Sequence, residues 1–374
     1  MLVGKNTEKF HQSPLYVDSW RTEYKQVDSH NNQDYVLCEK YEGKVTMESV
    51  NQYKYLGQII SNTKDNQAHI SYMKIKSISI NKRIFSYLKD LKLGRYFFEC
   101  GILMMNCLLR RSILYSAETL YNLNEREMRE FEKIEEGYLR ELVGTGQKCP
   151  ISQLYLEVGQ YPARFDIFKI QILFYHYIIN QDEKSLIFRF LQAQKDSPTK
   201  GDWFSIVKSN MLFINFSMTD EQMKHTTKYK LKKILKEKIE TKAFQYLQNM
   251  RGSKGKEIMY NKLSMSEYLL PNSYGLNIEE KKLMYNIRNR MLKNIHYNFK
   301  STNMNTLCRS GCPILETEYH IYICPMINEK TVKNQIEFHK IYNGHISDQI
   351  KVLRKMKENL VKIGIIERKT IDIY

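Results

Sequence analysis

The chain has 374 residues, 42% of them hydrophobic, enough for a proper core and by length roughly two or three domains. Its 58 Lys and Arg against 41 Asp and Glu leave a formal charge of +17, which favours a polyanionic partner such as RNA, DNA or an anionic surface. Neither a membrane span nor a disulfide scaffold is expected. The most apolar stretch, 167–179, is too short for a bilayer and contains Lys169, Gln171 and His176, residues 1–10 hold no apolar run of signal-peptide length, and seven cysteines do not staple a chain of this size.

In chain order, residues 1–65 read as strands and turns. Tyr35-Val36-Leu37-Cys38 is a short strand, Gly43 marks a turn, and Val45 and Met47 alternate with polar neighbours. Tyr53-Lys54-Tyr55-Leu56-Gly57-Gln58-Ile59-Ile60 is a second β-rich run, whose glycine signals a bend or a close backbone approach. From about residue 66 the period becomes helical. Ile80, Ile84, Leu88 and Leu91 share one face, while 74–95 carries seven basic residues against Asp90 alone, and Gly94 stops the helix. A second, mostly apolar helix over about 96–120 has Arg110 and Arg111 midway and places Cys100 and Cys107 in the core.

Asn124, with Glu127 three residues on, caps a third helix. Met128, Phe131, Glu135, Tyr138 and Leu142 line its inner face, Glu135 being the one polar interruption, and Gly144 and Gly146 end it. A further helical block runs over 150–194, with Pro162 opening its longest helix where no backbone donor is needed. Residues 195–203 form a loop. The most basic stretch, 224–256, has eleven Lys and Arg against Glu237 and Glu240, and Leu231, Leu235 and Leu247 keep it amphipathic. A helix over 278–299 carries Leu283, Ile287, Met291 and Ile295 on its apolar stripe, with Arg288, Arg290 and Lys293 off it. A cysteine cluster and a helical tail complete the chain.

The strongest local signal is Cys308-x3-Cys312-x7-His320-x3-Cys324. Zinc prefers four tetrahedral thiolate or imidazole ligands, and two short pairs joined by a loop supply them. Gly311 and Pro313 flank the second cysteine and suit a tight turn around an ion. Four protein ligands leave no open position for water, so the expected cofactor is one structural zinc. Catalytic residues are not expected. No Asp-Asp pair for two divalent ions, no Gly-rich phosphate loop and no nucleophile elbow occurs.

The series of motifs resembles the C-terminal part of a non-LTR (LINE-type) retrotransposon reverse transcriptase, over about residues 30–327. Tyr53-Lys54-Tyr55-Leu56-Gly57 looks like the aromatic-Leu-Gly primer grip of that family, and the basic helices after it look like the thumb. Tyr115-Ser116-Ala117-Glu118 resembles a Tyr-Gly-Ala-Glu thumb sequence, and residues 154–162 (LYLEVGQYP) resemble the Leu-Gly-x-x-Pro signature beyond it. Glu280-Lys281-Lys282 through Arg288 and Arg290 to Asn298-Phe299-Lys300 is similar to the C-terminal linker, and Glu316-Thr317-Glu318-Tyr319-His320 fits the acidic stretch before the knuckle histidine. The usual knuckle spacing is Cys-x2-Cys-x7-His-x4-Cys, so this one differs by a residue on each side. Fingers, palm and its Asp-Asp motif have no counterpart here, and no endonuclease motif is recognisable.

The expected fold is therefore mainly α. A β-rich palm-end and primer-grip hairpin remnant occupies 1–65, a helical thumb-like bundle 66–150, and a helical linker with the basic helix 151–256. A linker helix with a small CCHC zinc knuckle covers 257–327, and a helical tail 328–374. The resemblance implies an intracellular, nuclear or cytoplasmic ribonucleoprotein component that binds RNA or an RNA/DNA hybrid. Its contacts are expected at Tyr55, Leu56, Gly57, Lys82, Arg83, Lys89, Arg110, Arg111, Arg288 and Arg290. A separately supplied N-terminal core would make it part of an RNA-directed DNA polymerase. A zinc-stapled helical host interaction protein is the remaining reading.

Overall fold

The structure is a computed structural model that describes residues 15–29, 32–47, 52–55, 57–61, 66–120, 123–199, 201–251, 258–271, 275–292, 307–327 and 335–364. It is mainly helical, with two small antiparallel hairpins at the N-terminal end. β1 (Leu15–Ser29) pairs with β2 (Asn32–Met47). Gly43 lies inside β2 opposite Ser19, where the register slips, so it marks a β-bulge rather than the expected turn. The β-rich run at 53–60 is two strands, β3 (Gln52–Tyr55) and β4 (Gln58–Ser61), folded back on each other with Gly57 in the connection at φ 92.

α1 (Gln67–Asp90) buries His69, Ile70, Met73, Ser77, Ile84 and Leu88 against the bundle. It ends at Asp90, which leaves Leu91 exposed rather than on the inner face. α2 (Phe97–Met104) passes through a π-helical turn at Met105–Leu109 into α3 (Arg110–Ile113). A π turn adds a residue to the turn and rotates the next stretch of helix. Cys107 and Leu108 face outward and Cys100 is only half-buried, because the inward stripe runs through Phe98, Gly101, Ile102, Met105 and Leu109 and leaves both cysteines off it. The helix expected to reach residue 120 stops at Ile113. Turns take its place, with Ser116 at φ 63.

α4 (Glu125–Val143) is delimited as its sequence dictates. Asn124 accepts from the Glu127 N–H, the Glu127 carboxylate accepts from the Asn124 N–H, and Gly144 closes the helix at φ 64. α5 (Ile151–Glu157) breaks at Gly159, where a Cβ would fall 2.2 Å from the Met265 nitrogen, so only glycine fits. Pro162 then caps α6 (Ala163–Ile179). α6 is buried on several sides, as an almost wholly apolar helix must be. Two of its buried polar residues bond neighbouring backbone. Gln171 donates to the Ala117 and Leu120 carbonyls, and a ring nitrogen of His176 lies 2.9 Å from the Thr226 carbonyl. No helix among the described residues is long and apolar enough to cross a membrane.

α7 (Leu186–Asp196), α8 (Trp203–Phe213), α9 (Asp220–Lys224) and α10 (Lys228–Asn249) surround α6. α11 (Ile278–Arg288) is shorter than expected, because Arg290 turns into the left-handed region at φ 54. α12 (Glu318–Ile323), α13 (Gln335–Asn343) and α14 (Ile346–Lys362) pack on one another, and α14 packs on α11. One hydrophobic core runs from Ile70 on α1 to Leu360 on α14, so the segments set apart at residues 150 and 256 share an interior.

Candidate metal centre and nucleic-acid interface

Cys308 and Cys312 are held by a small antiparallel loop. Leu307 bridges Leu315, the Cys308 N–H donates to the Ile314 carbonyl, and Gly311 turns at φ 86. The Ser310 N–H points at the Cys308 sulfur at 3.4 Å. His320 sits in the first turn of α12, capped by Thr317, and Cys324 closes that helix. These four ligand atoms lie within 4.8 Å of one another, and all four residues are buried. The Cys324 sulfur is 3.7 Å from that of Cys308 and 3.4 Å from that of Cys312. Two sulfurs bound tetrahedrally at the usual zinc–thiolate distance would be about 3.8 Å apart, and a disulfide would need about 2 Å.

The spacing therefore fits an ion better than a bridge. His320 adds a buried Nε2 with no hydrogen-bond partner, and burial lowers its pKa, which keeps the ring neutral as a ligand must be. Glu316, fully buried, binds Arg309 through its N–H and its side chain and so fixes the loop between the two ligand pairs. Among the described residues no other group of His, Cys, Asp or Glu could hold a metal.

The residues expected to meet nucleic acid divide sharply. Lys82, Arg83 and Lys89 stand exposed on α1, with no acidic partner among the described residues; Arg83 only reaches Ser79 one turn back. Arg111 is exposed too. Arg110, its neighbour, is buried. Its Nε donates to Glu135 at 2.6 Å, and its Nη1 to Asp166 at 3.2 Å. Glu135, the polar interruption of α4, is thus an internal counter-ion, although burial outweighs Arg110 and pushes its carboxyl up to about 7.

Arg288 is buried as well. It binds Glu157 at 2.9 Å, the Ile341 carbonyl at 2.5 Å and the Tyr342 carbonyl at 3.0 Å. Arg110 and Arg288 are both almost wholly buried, and an arginine inside a core must spend its donors on internal acceptors. Arg290 is half-buried. Gly57 packs on Tyr115, whose ring would be 3.1 Å from an added Cβ. Tyr55 ends β3, and the side chain of Tyr55 and the whole of Leu56 lie outside the described residues.

Three cations with an exposed or half-exposed position were not singled out individually by sequence. Lys169, Lys228 and Lys232 line a cleft together with Arg111. The only sequence signal was the lysine-rich run that holds two of them. Comparisons with protein-family models, with characterised proteins and with solved structures returned no match.

Proposed function

We propose that this chain is a nucleic-acid-binding fragment of the non-LTR reverse-transcriptase type, stapled by one structural zinc at Cys308, Cys312, His320 and Cys324. The observation that carries the reading is the sorting of cations. Arg110, Arg164 and Arg288 are buried and matched to Glu135, Glu132 and Glu157, whereas Lys82, Arg83 and Lys89 face outward from one helix unmatched by acids. A net charge of +17 concentrated outside the core is a surface for phosphates.

Two backbone features support the resemblance. Ser116 adopts φ 63, a region that favours glycine, and the similar thumb sequence has glycine at that place. Gly57 of the grip-like hairpin abuts Tyr115 of the same thumb-like sequence, so two segments far apart in the chain meet.

Lys82→Glu with Arg83→Glu is expected to weaken RNA binding and to flatten its dependence on log salt by about one unit per lost contact. Both residues are exposed, so the unfolding free energy should stay within about 0.5 kcal/mol of wild type. Wild-type affinity and slope in the variant would rule out α1 as the contact surface. Primer extension on a primed RNA template with Mg²⁺ should be nil for the chain alone, since clustered carboxylates for two divalent ions are missing from its sequence motifs. Synthesis by protein cleared of contaminating polymerase would overturn that.

A further inference from the structure

A cleft of about 920 Å³ opens between α3 with the turns after it, one face of α6, and the start of α10. Lys228 and Lys232 are one helical turn apart on α10, and Lys169 and Tyr177 lie two turns apart on α6. Arg111 comes from α3. Of the acids at its wall, Asp166 is taken by Arg110 at 3.2 Å, and Glu240 sits 3.8 Å from Lys236. Glu118 and the loosely paired Glu240 stand against four cations.

The same cleft holds exposed aromatic surface. Tyr177 is 51% and Tyr115 48% exposed. Tyr177 lies nearly parallel to Phe174, at 12° and 6.0 Å between centroids. Cations spaced along a groove and ring faces open to solvent are the two components that hold a strand whose bases are unpaired. In a duplex the base faces are already covered by their neighbours, so exposed tyrosine rings inside a cleft have nothing there to stack on.

We propose that this cleft is a single-strand subsite. Arg111, Lys169, Lys228 and Lys232 contact successive phosphates, and Tyr177 and Tyr115 receive bases. The inference rests on the nucleic-acid reading above and adds to it a place and a strandedness. It also separates two surfaces: α1 takes phosphates of any nucleic acid, whereas the cleft selects unpaired strand.

The test measures binding of a labelled oligouridylate, the matching oligothymidylate and a duplex of equal length across a range of salt. Wild type is compared with Lys228→Glu/Lys232→Glu, with Tyr177→Ala and with Lys82→Glu/Arg83→Glu. Tyr177→Ala should lose about tenfold or more in affinity for the single strands with an unchanged salt slope, as loss of a stacking platform does. The lysine variant should lose affinity and about one and a half units of slope on the same single-strand probes. Duplex binding should stay at the wild-type level in both. A preference for oligouridylate over oligothymidylate would assign the subsite to RNA, and equal binding would assign it to the chemistry the two share.

Wild-type single-strand affinity in both cleft variants, with the α1 variant weakened, would overturn the subsite and leave the nucleic-acid reading standing. Equal losses on duplex and single strands would also overturn it, by making the cleft a general phosphate surface. Failure of wild type to bind any probe would overturn both.

Discussion

Protein purified without added metal is expected to carry one zinc per chain, and Cys308→Ser with Cys324→Ser to remove it. The effect on local structure should be large, because the knuckle has almost no core of its own. Its buried apolar cluster is Cys308, Cys312, Cys324 and Ile327, with Ile363 packed against it, and three of those are candidate ligands. Burial beside the other thiols pushes the Cys324 thiol up to about 12, so without a cation it stays protonated at neutral pH and contributes no charge to hold the loop. Structural zinc in such small sites contributes on the order of 10 kcal/mol.

The loss should spread along defined contacts. Asn359 of α14 donates to the Ile321 carbonyl at 2.9 Å, and Lys362 to the Ile327 carbonyl at 3.2 Å. Chelation is therefore expected to open 307–327 to protease and to loosen α14, while the helices around α6 keep their signal in circular dichroism. Elemental analysis without zinc, or full zinc occupancy in the double variant, would refute the assignment.

Arg288→Met should cost about 3–5 kcal/mol of folding stability, the usual penalty for stranding one half of a buried ion pair. Glu157, fully buried, would lose its guanidinium, with the Ser266 hydroxyl still donating to it. The Ile341 and Tyr342 carbonyls at the end of α13 and the Gln349 side chain of α14 would lose donors in the same step. One arginine thus joins α5, α11, α13 and α14. Replacing both partners, Arg288→Met with Glu157→Met, should recover much of the loss, since two apolar groups leave no uncompensated charge. Denaturant unfolding of the three variants decides it. A single variant within about 0.5 kcal/mol of wild type would mean that Arg288 is not a tie.

Much of the helical framework was readable from short stretches of chain. The Asn124–Glu127 box, the stop at Gly144, the start of α6 after Pro162 and the inward set of Ile84 and Leu88 depend on residues a few positions apart, where backbone geometry dictates who meets whom. The candidate ligand quartet was readable for the same reason, since only 16 positions separate Cys308 from Cys324. The length of α11 was not, because its inward side is set by partners from elsewhere in the chain and its stripe includes Arg288.

The placement of cations shows the limit most clearly. In sequence Arg110 and Arg111 are equivalent, and Arg288 looks like a surface residue of a basic helix. Their fates were decided by acids far along the chain: Glu135 is 25 positions from Arg110, Asp166 is 56, and Glu157 is 131 from Arg288. Composition and short-range spacing are enough to specify a helical, strongly basic chain with a four-ligand metal motif. Which cations become internal counter-ions and which stay exposed emerges only on folding, because a buried charge is tolerated only where the fold brings a partner to it.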